Sequence, residues 1–230
     1  MRGPRPRRSR SPRSWRVETP PSPTNPPGLA NLRDLGGLAL TSGGETRHRA
    51  IWRSGHPDAL DEDGWQWLID VGIRTIVDLR NPEERSKPTP PSTVTIVSCP
   101  VEDPADPAYA TQWDERWASP DFARWGIERW PESWAAVFDA IADAPDGGVL
   151  VHCAGGRDRT GIVVALLLDE AGAERNVVLD DYVRGIREAD SRNIDAFVEV
   201  YQEQLDALLD EVDRGAAWAG SLRAAAGRLS

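Results

Sequence analysis

The stretch Val149-Leu-Val-His-Cys-Ala-Gly-Gly-Arg-Asp-Arg-Thr-Gly161 decides how this chain folds. Val149-Leu-Val151 is short and wholly apolar, which suits a strand buried on both faces at the centre of a sheet. Thr160–Ala171 reads as an apolar helix closed by Gly172. Between strand and helix lies a loop with Gly155 and Gly156, which allow backbone angles that other residues resist. Such a loop can turn its N–H groups inward and form an anion nest. The helix that follows points its positive end at the same spot.

Outward from this segment the pattern alternates. Arg74–Leu79 is rich in β-branched residues and Val94–Ser98 is similar, so both read as strands. Asp61–Val71 has acids in its first turn and Trp65, Leu68 and Ile69 at helical spacing, with Gly72 as its stop. Asn31–Gly37 predicts a tight turn, His48–Ser54 a short strand, and Gly55-His-Pro57 a turn. Residues 102–130 hold Tyr109, Trp113, Trp117, Phe122, Trp125 and Trp130 among Pro, Asp and Arg. They predict an insertion of loop and short helix, either a lid or wall beside a site or a satellite core. Trp134, Val137, Phe138 and Ile141 form the stripe of a further helix, which Pro145-Asp-Gly-Gly148 breaks. Three helices are expected near Asn176–Glu188, Asn193–Val212 and Gly215–Gly227. The order implies an α/β fold with a partly parallel sheet and C-terminal helices.

Charge divides the chain. Residues 1–27 carry seven arginines and one acid, Glu18, about +6. The other 203 residues hold 20 basic and 36 acidic side chains, a charge of −16. A body that acidic excludes nucleic acid as a partner. The tail, rich in Pro, Arg and Ser, reads as disordered, and 28–230 as the folded domain. The basic N-terminus has no apolar segment behind it, so no signal peptide is expected. The longest apolar run, Ile162–Leu168, has seven residues and cannot span a bilayer. Two cysteines, Cys99 and Cys153, make no disulfide scaffold, and reduced thiols point to the cytoplasm. There is no Cys/His cluster at zinc spacing, and no metal or cofactor is expected.

The loop's residue types define a chemistry. The field of nest and helix end keeps the Cys153 sulfur ionised and nucleophilic. The same field seats a phosphate above it, against the loop Ala154, Gly155, Gly156 and Arg157. Arg159 can grip two phosphate oxygens as a fork, which a lysine cannot. Thr160 can donate its hydroxyl to the thiolate. Attack of the thiolate on phosphorus gives a cysteinyl-phosphate, which water then hydrolyses. A lone Cys-x5-Arg is weak; one set between an apolar strand and an apolar helix, with Thr-Gly after the arginine, is specific.

His-Cys-Ala-Gly-Gly-Arg-Asp-Arg-Thr-Gly161 resembles the signature of the protein-tyrosine phosphatase superfamily. It is most similar to a bacterial branch of broad specificity that also acts on phosphoinositides, with Arg157 where that branch usually has lysine. Asn31–Gly37, Arg53-Ser54-Gly55, Gly72–Arg80 and Asp181-Tyr182 match further pieces in order, over roughly 28–212. The resemblance implies a central four-to-five-stranded, mostly parallel sheet with helices on both faces. It also implies a phosphorylated protein or phosphoinositide as substrate. In related lipid phosphatases, such as the myotubularins, an aspartate at the place of Asp158 is thought to supply the proton, so the resemblance implies Asp158 as general acid. Asp78, at the end of a predicted strand, is the rival, or else orients Arg159 or Arg80. Asp103, Asp106 and Asp114 rank behind them. His152 reads as a structural imidazole and Cys99 as a core thiol. A sulfurtransferase of rhodanese type, an arsenate reductase or an inactive phosphate-binding module are the alternatives. The Arg-Thr-Gly helix entry, the lack of further resolving cysteines and the joint presence of Cys153, Asp158 and Arg159 speak against them.

Overall fold

A computed structural model describes residues 28–86, 90–112, 119–189 and 195–230. The expected disordered tail, 1–27, lies outside the described residues, as do Trp113, Asp114 and Trp117.

Five strands form one sheet: β1 (Arg33–Asp34), β2 (Ile51–Ser54), β3 (Ile73–Asp78), β4 (Thr95–Ser98) and β5 (Gly148–His152). Their order is β1-β2-β5-β3-β4. Only β1 runs antiparallel, at one edge; β2, β5, β3 and β4 are parallel. The apolar Val149-Leu-Val151 therefore occupies the centre of the sheet, as its composition requires.

Side chains alternate between two cores, as the strand period demands. Trp52, Ile76 and Leu150 face helix α1 (Glu62–Asp70), where they meet Trp65 and Leu68. Ile51, Val77, Val149 and Val151 face the other layer. That layer contains α4 (Pro131–Ala142), α5 (Asp158–Glu170), α6 (Arg175–Ala189), α7 (Asp195–Glu211) and α8 (Trp218–Ala226). The insertion forms α2 (Pro107–Gln112) and α3 (Pro120–Arg129).

Helix ends follow local chemistry. Asp61 caps α1 by accepting from the Gly64 N–H at 2.9 Å, and Gly72 ends it at φ +97°. Ser119 caps α3 through the Phe122 N–H. The C-terminal helix, which the resemblance left out, belongs to the main core. Trp218, Leu222 and Ala225 are buried there, and the Trp218 ring stacks on Phe138 at 5.9 Å. Among the described residues no helix is long and apolar enough to cross a membrane.

Register sets the site. Ser54, His152 and Asp78 lie side by side at the carboxyl ends of β2, β5 and β3. The loops that leave there open outside the ends of the parallel strands, where open α/β sheets bind ligands.

Candidate active site

The loop from Cys153 to Arg157 joins the central strand to the N-terminus of α5. Its shape depends on Gly156, which has φ +69°. A Cβ there would lie 2.4 Å from the Ser54 carbonyl, a clash with backbone that nothing can relieve. The loop is also tied from outside. The His56 N–H donates to the Ala154 carbonyl at 3.0 Å. Asn31 Nδ2 donates to the Gly156 carbonyl at 3.1 Å and to Gly185 at 2.8 Å. Arg53 Nη2 donates to the same Gly156 carbonyl at 2.5 Å.

Behind these anchors lies a buried ionic cluster. Asp181 accepts from Arg53 Nη1 at 2.5 Å and from Arg33 Nε at 2.6 Å. Arg33 Nη1 also donates to Asn31 Oδ1 at 2.7 Å. Burial works to raise the Asp181 carboxyl, but the two guanidiniums hold it below the ordinary carboxylate range. The cluster fixes Asn31 and Arg53, and through them the carbonyls that must stay turned away from a bound anion.

A cleft of about 260 Å³ opens above the loop. Cys153, Ala154, Gly155, Arg157, Asp158 and Arg159 line one side of it. Phe122, Gly126, Trp130 and Trp134 form an apolar wall on the other. Tyr109, Phe122, Trp125 and Trp130 pack together, with ring centroids 4.9–6.1 Å apart. The aromatic insertion is thus both a satellite core and a wall of the cleft.

Arg159 is held by Glu84 in a two-pronged pair, both contacts 2.6 Å. Glu84 is itself fixed, because its Oε2 accepts from the Asn81 N–H at 2.8 Å in a short turn, Pro82–Glu84. A second carboxylate, Glu102, lies 3.7 Å from Arg159. Asp158 accepts from Arg157 Nε at 2.8 and 3.0 Å. Burial pushes its carboxyl up, and Arg157 and Arg159 pull it only part of the way back. The Thr160 hydroxyl, at the start of α5, is buried and has no hydrogen-bond partner among the described residues.

Asp78 does not reach the cleft. It is buried and accepts from Arg80 Nε at 3.0 Å and Nη2 at 2.9 Å. Burial would raise its carboxyl, but Arg80 and His152 hold it low. Arg80 continues to Asp58, at 2.7 and 3.1 Å. Of the two readings of Asp78, rival acid or partner of an arginine, the geometry has the second: it pairs with Arg80 at the sheet end and lies apart from Arg159. Asp106 pairs with Arg129 and takes the Trp130 indole N–H, and these bonds, Arg129 first, hold it at about 2. Asp103 accepts from the Ala105 N–H, and Asp114 lies outside the described residues. His152 Nδ1 lies 3.0 Å from the Cys153 carbonyl, a backbone contact. Burial pushes the Cys99 thiol up to about 11, fitting a core residue.

A sequence model of the tyrosine phosphatase family matches residues 24–220. The chain belongs to that family. Its relatives include a Cupriavidus necator protein provisionally named a tyrosine-protein phosphatase, 28% identical over 177 residues. That match spans 72% of this chain and 62% of the relative, so this chain covers less than two thirds of its length. The triple specificity protein phosphatase PtpB of Mycobacterium tuberculosis is 26% identical over 198 residues, covering 69% of this chain and 67% of that one. Among solved structures, TpbA of P. aeruginosa aligns over 86% of this chain and 91% of its own, with 18% identity and a TM-score of 0.39.

For this tyrosine phosphatase family member, reasoning from sequence missed Glu84, Glu102 and the cluster around Asp181. Glu84 had a faint signal, since Asn81-Pro-Glu-Glu84 is a capping pattern. Arg53 and Asp181 stood only as matched pieces without a role, because 128 residues separate them.

Proposed function

We propose that this protein is a phosphomonoesterase that acts through a cysteinyl-phosphate on phosphotyrosine. Phosphoserine, phosphothreonine and phosphoinositides are further candidate substrates. One observation carries the reading: Cys153, Asp158 and Arg159 line a single cleft at the N-terminus of α5, beside an apolar wall. The Cys153 thiolate attacks phosphorus, and the P–O bond to the leaving group breaks. Asp158, whose burial raises its affinity for a proton, gives that proton to the leaving oxygen. Water then attacks phosphorus, the S–P bond breaks, and the proton of that water returns to Asp158. Arg159 and the loop N–H groups hold the equatorial oxygens throughout. Thr160 can donate to the sulfur when it leaves. The wall of Phe122, Trp130 and Trp134 favours an aryl leaving group over a small alkyl one. The name of the mycobacterial relative supports more than one substrate class. Two free, buried cysteines support a reducing setting, and hence the cytoplasm.

The full chain is expected to hydrolyse p-nitrophenyl phosphate in EDTA with no added metal. Activity that appears only with a divalent cation would overturn the reading. The proton donor has its own signature. A general acid must be protonated, so activity falls on the alkaline side as Asp158 ionises, at a higher pH than for an ordinary aspartate. Asp158→Asn is expected to lower kcat by roughly 10²–10⁴-fold and to flatten that alkaline limb. A pH–rate profile with an unchanged limb would exclude Asp158 as the donor.

A further inference from the structure

Three carboxylates line the cleft with Cys153: Glu84, Glu102 and Asp158. Glu84 is committed, bound twice to Arg159 and once to the Asn81 N–H. Asp158 is paired with Arg157. Glu102 differs. Its side chain is 13% exposed, it stands 3.7 Å from Arg159 Nη1 at a corner that Glu84 already neutralises, and its remaining contact is the Tyr109 hydroxyl at 3.5 Å.

We propose that Glu102 is the proton-linked gate of the phosphate site: ionised, it shares Arg159 with Glu84, and it takes up a proton when a phosphate dianion claims that arginine. The proposal rests on the phosphatase reading and adds what decides when the site can fill. The argument is one of charge. Arg159 alone faces two carboxylates before any substrate arrives. A dianion in the loop takes the Arg159 donors and adds two negative charges beside Glu102. In a partly dry cleft a carboxylate so placed becomes neutral rather than stay ionised and unpaired. The free protein is already part of the way there. Burial pushes Glu102 above the ordinary glutamate range; Glu84 and Asp158 push the same way, while Arg159 and the Tyr109 hydroxyl pull it down. The titratable and charged groups around it are therefore Arg159 and Asp158 from α5, Arg157 from the loop before it, Glu84 from the short turn, Tyr109 from α2 and the Cys153 sulfur. Glu84 cannot take the same role, because Arg159 and the Asn81 N–H hold it low against the effect of its burial.

The sign follows from linkage. Binding raises the affinity of Glu102 for a proton, so protons are taken up between its free and its bound titration points, and dianion affinity falls as pH rises through that window. One linked proton gives a slope of up to about tenfold per pH unit.

The test uses sodium tungstate, a dianion at neutral pH, and the Cys153→Ser chain, so that the sulfur contributes no proton. Calorimetry in two buffers of unlike ionisation enthalpy counts the protons exchanged. Uptake approaching one proton per site is expected in Cys153→Ser, and none when Glu102→Gln is added. Adding Glu102→Asp, which keeps a titratable group, or Asp158→Asn should leave the uptake in place. Binding without uptake in the parent, uptake that survives Glu102→Gln, or uptake lost only with Asp158→Asn would each overturn the proposal. The affinity of the parent measured against pH gives a second readout, sloped if the gate exists and flat if it does not. Hydrolysis of p-nitrophenyl phosphate by the unmodified chain is read separately. Activity with no proton uptake sinks the gate alone; no activity and no tungstate binding sinks both.

Discussion

Replacing Cys153 by serine is expected to lower kcat for p-nitrophenyl phosphate by at least ~10⁴-fold, the scale on which loss of a covalent nucleophile acts. In the proposed mechanism the sulfur is the nucleophile because it sits where the central strand meets the start of α5. It ends the central strand, faces the N-terminus of α5, and is only 3% exposed. A serine hydroxyl in the same place is not ionised at neutral pH and is a far weaker nucleophile than a thiolate. The adjacent imidazole, His152, contacts the Cys153 carbonyl and the Asp78 region instead, and its burial disfavours protonation. The phosphate cradle itself survives the change, since the loop N–H groups and Arg159 are untouched. Serine should therefore abolish turnover while oxyanions still bind. Full activity in Cys153→Ser, measured over many turnovers, would remove the covalent mechanism.

The second large effect lies away from the cleft. Asp181→Ala is expected to destabilise the protein by about 3–5 kcal/mol, because it strands the buried Arg53 guanidinium without its counter-charge and leaves Arg33 only Glu188, at 3.2 Å. Arg53 is fully buried and Arg33 nearly so. Burial and the neighbouring Arg53 charge already disfavour the charged form of Arg33, and Asp181, with Glu188, offsets them only in part. The loss should depend on pH in a defined direction. Asp181 titrates lower in the folded chain than in the unfolded one. Its contribution is thus fully present above the unfolded carboxylate value, about 3.9, and fades as pH falls below it. Urea unfolding of both proteins at neutral pH should show the full gap, and the gap should narrow under acid conditions. A loss below about 1 kcal/mol at neutral pH would mean that the cluster is not the clamp described above. Activity should fall alongside stability, since Arg53 is one of two donors that hold the Gly156 carbonyl.

Much of this was legible in the residues. The apolar Val149-Leu-Val151 had to be a central strand, and it is. Asp61 and Gly72 marked the two ends of α1 closely, because capping is a local matter of a few atoms. The insertion was legible as helical and aromatic. Its packing was not, because four rings can cluster in many ways and only the approach of α3 to the loop decides which of them face the cleft. Asp78 was legible only as a choice between two roles, rival acid or partner of an arginine. Arg80, two residues on, folds back and takes both carboxylate oxygens, which gives it the second. Which role it has turns on a side-chain rotamer that no spacing rule encodes.

The sequence by itself determined the segment proposed as reactive, from Cys153 to Arg159, because strand, glycine loop and helix end are consecutive and act over one or two turns of chain. Tertiary structure alone decided which distant groups serve that segment. Glu84 and Glu102 meet Arg159 across 75 and 57 positions, and Asp181 meets Arg33 across 148. Charges find such partners only after the sheet and helices have brought them together in a place dry enough for pairing to matter.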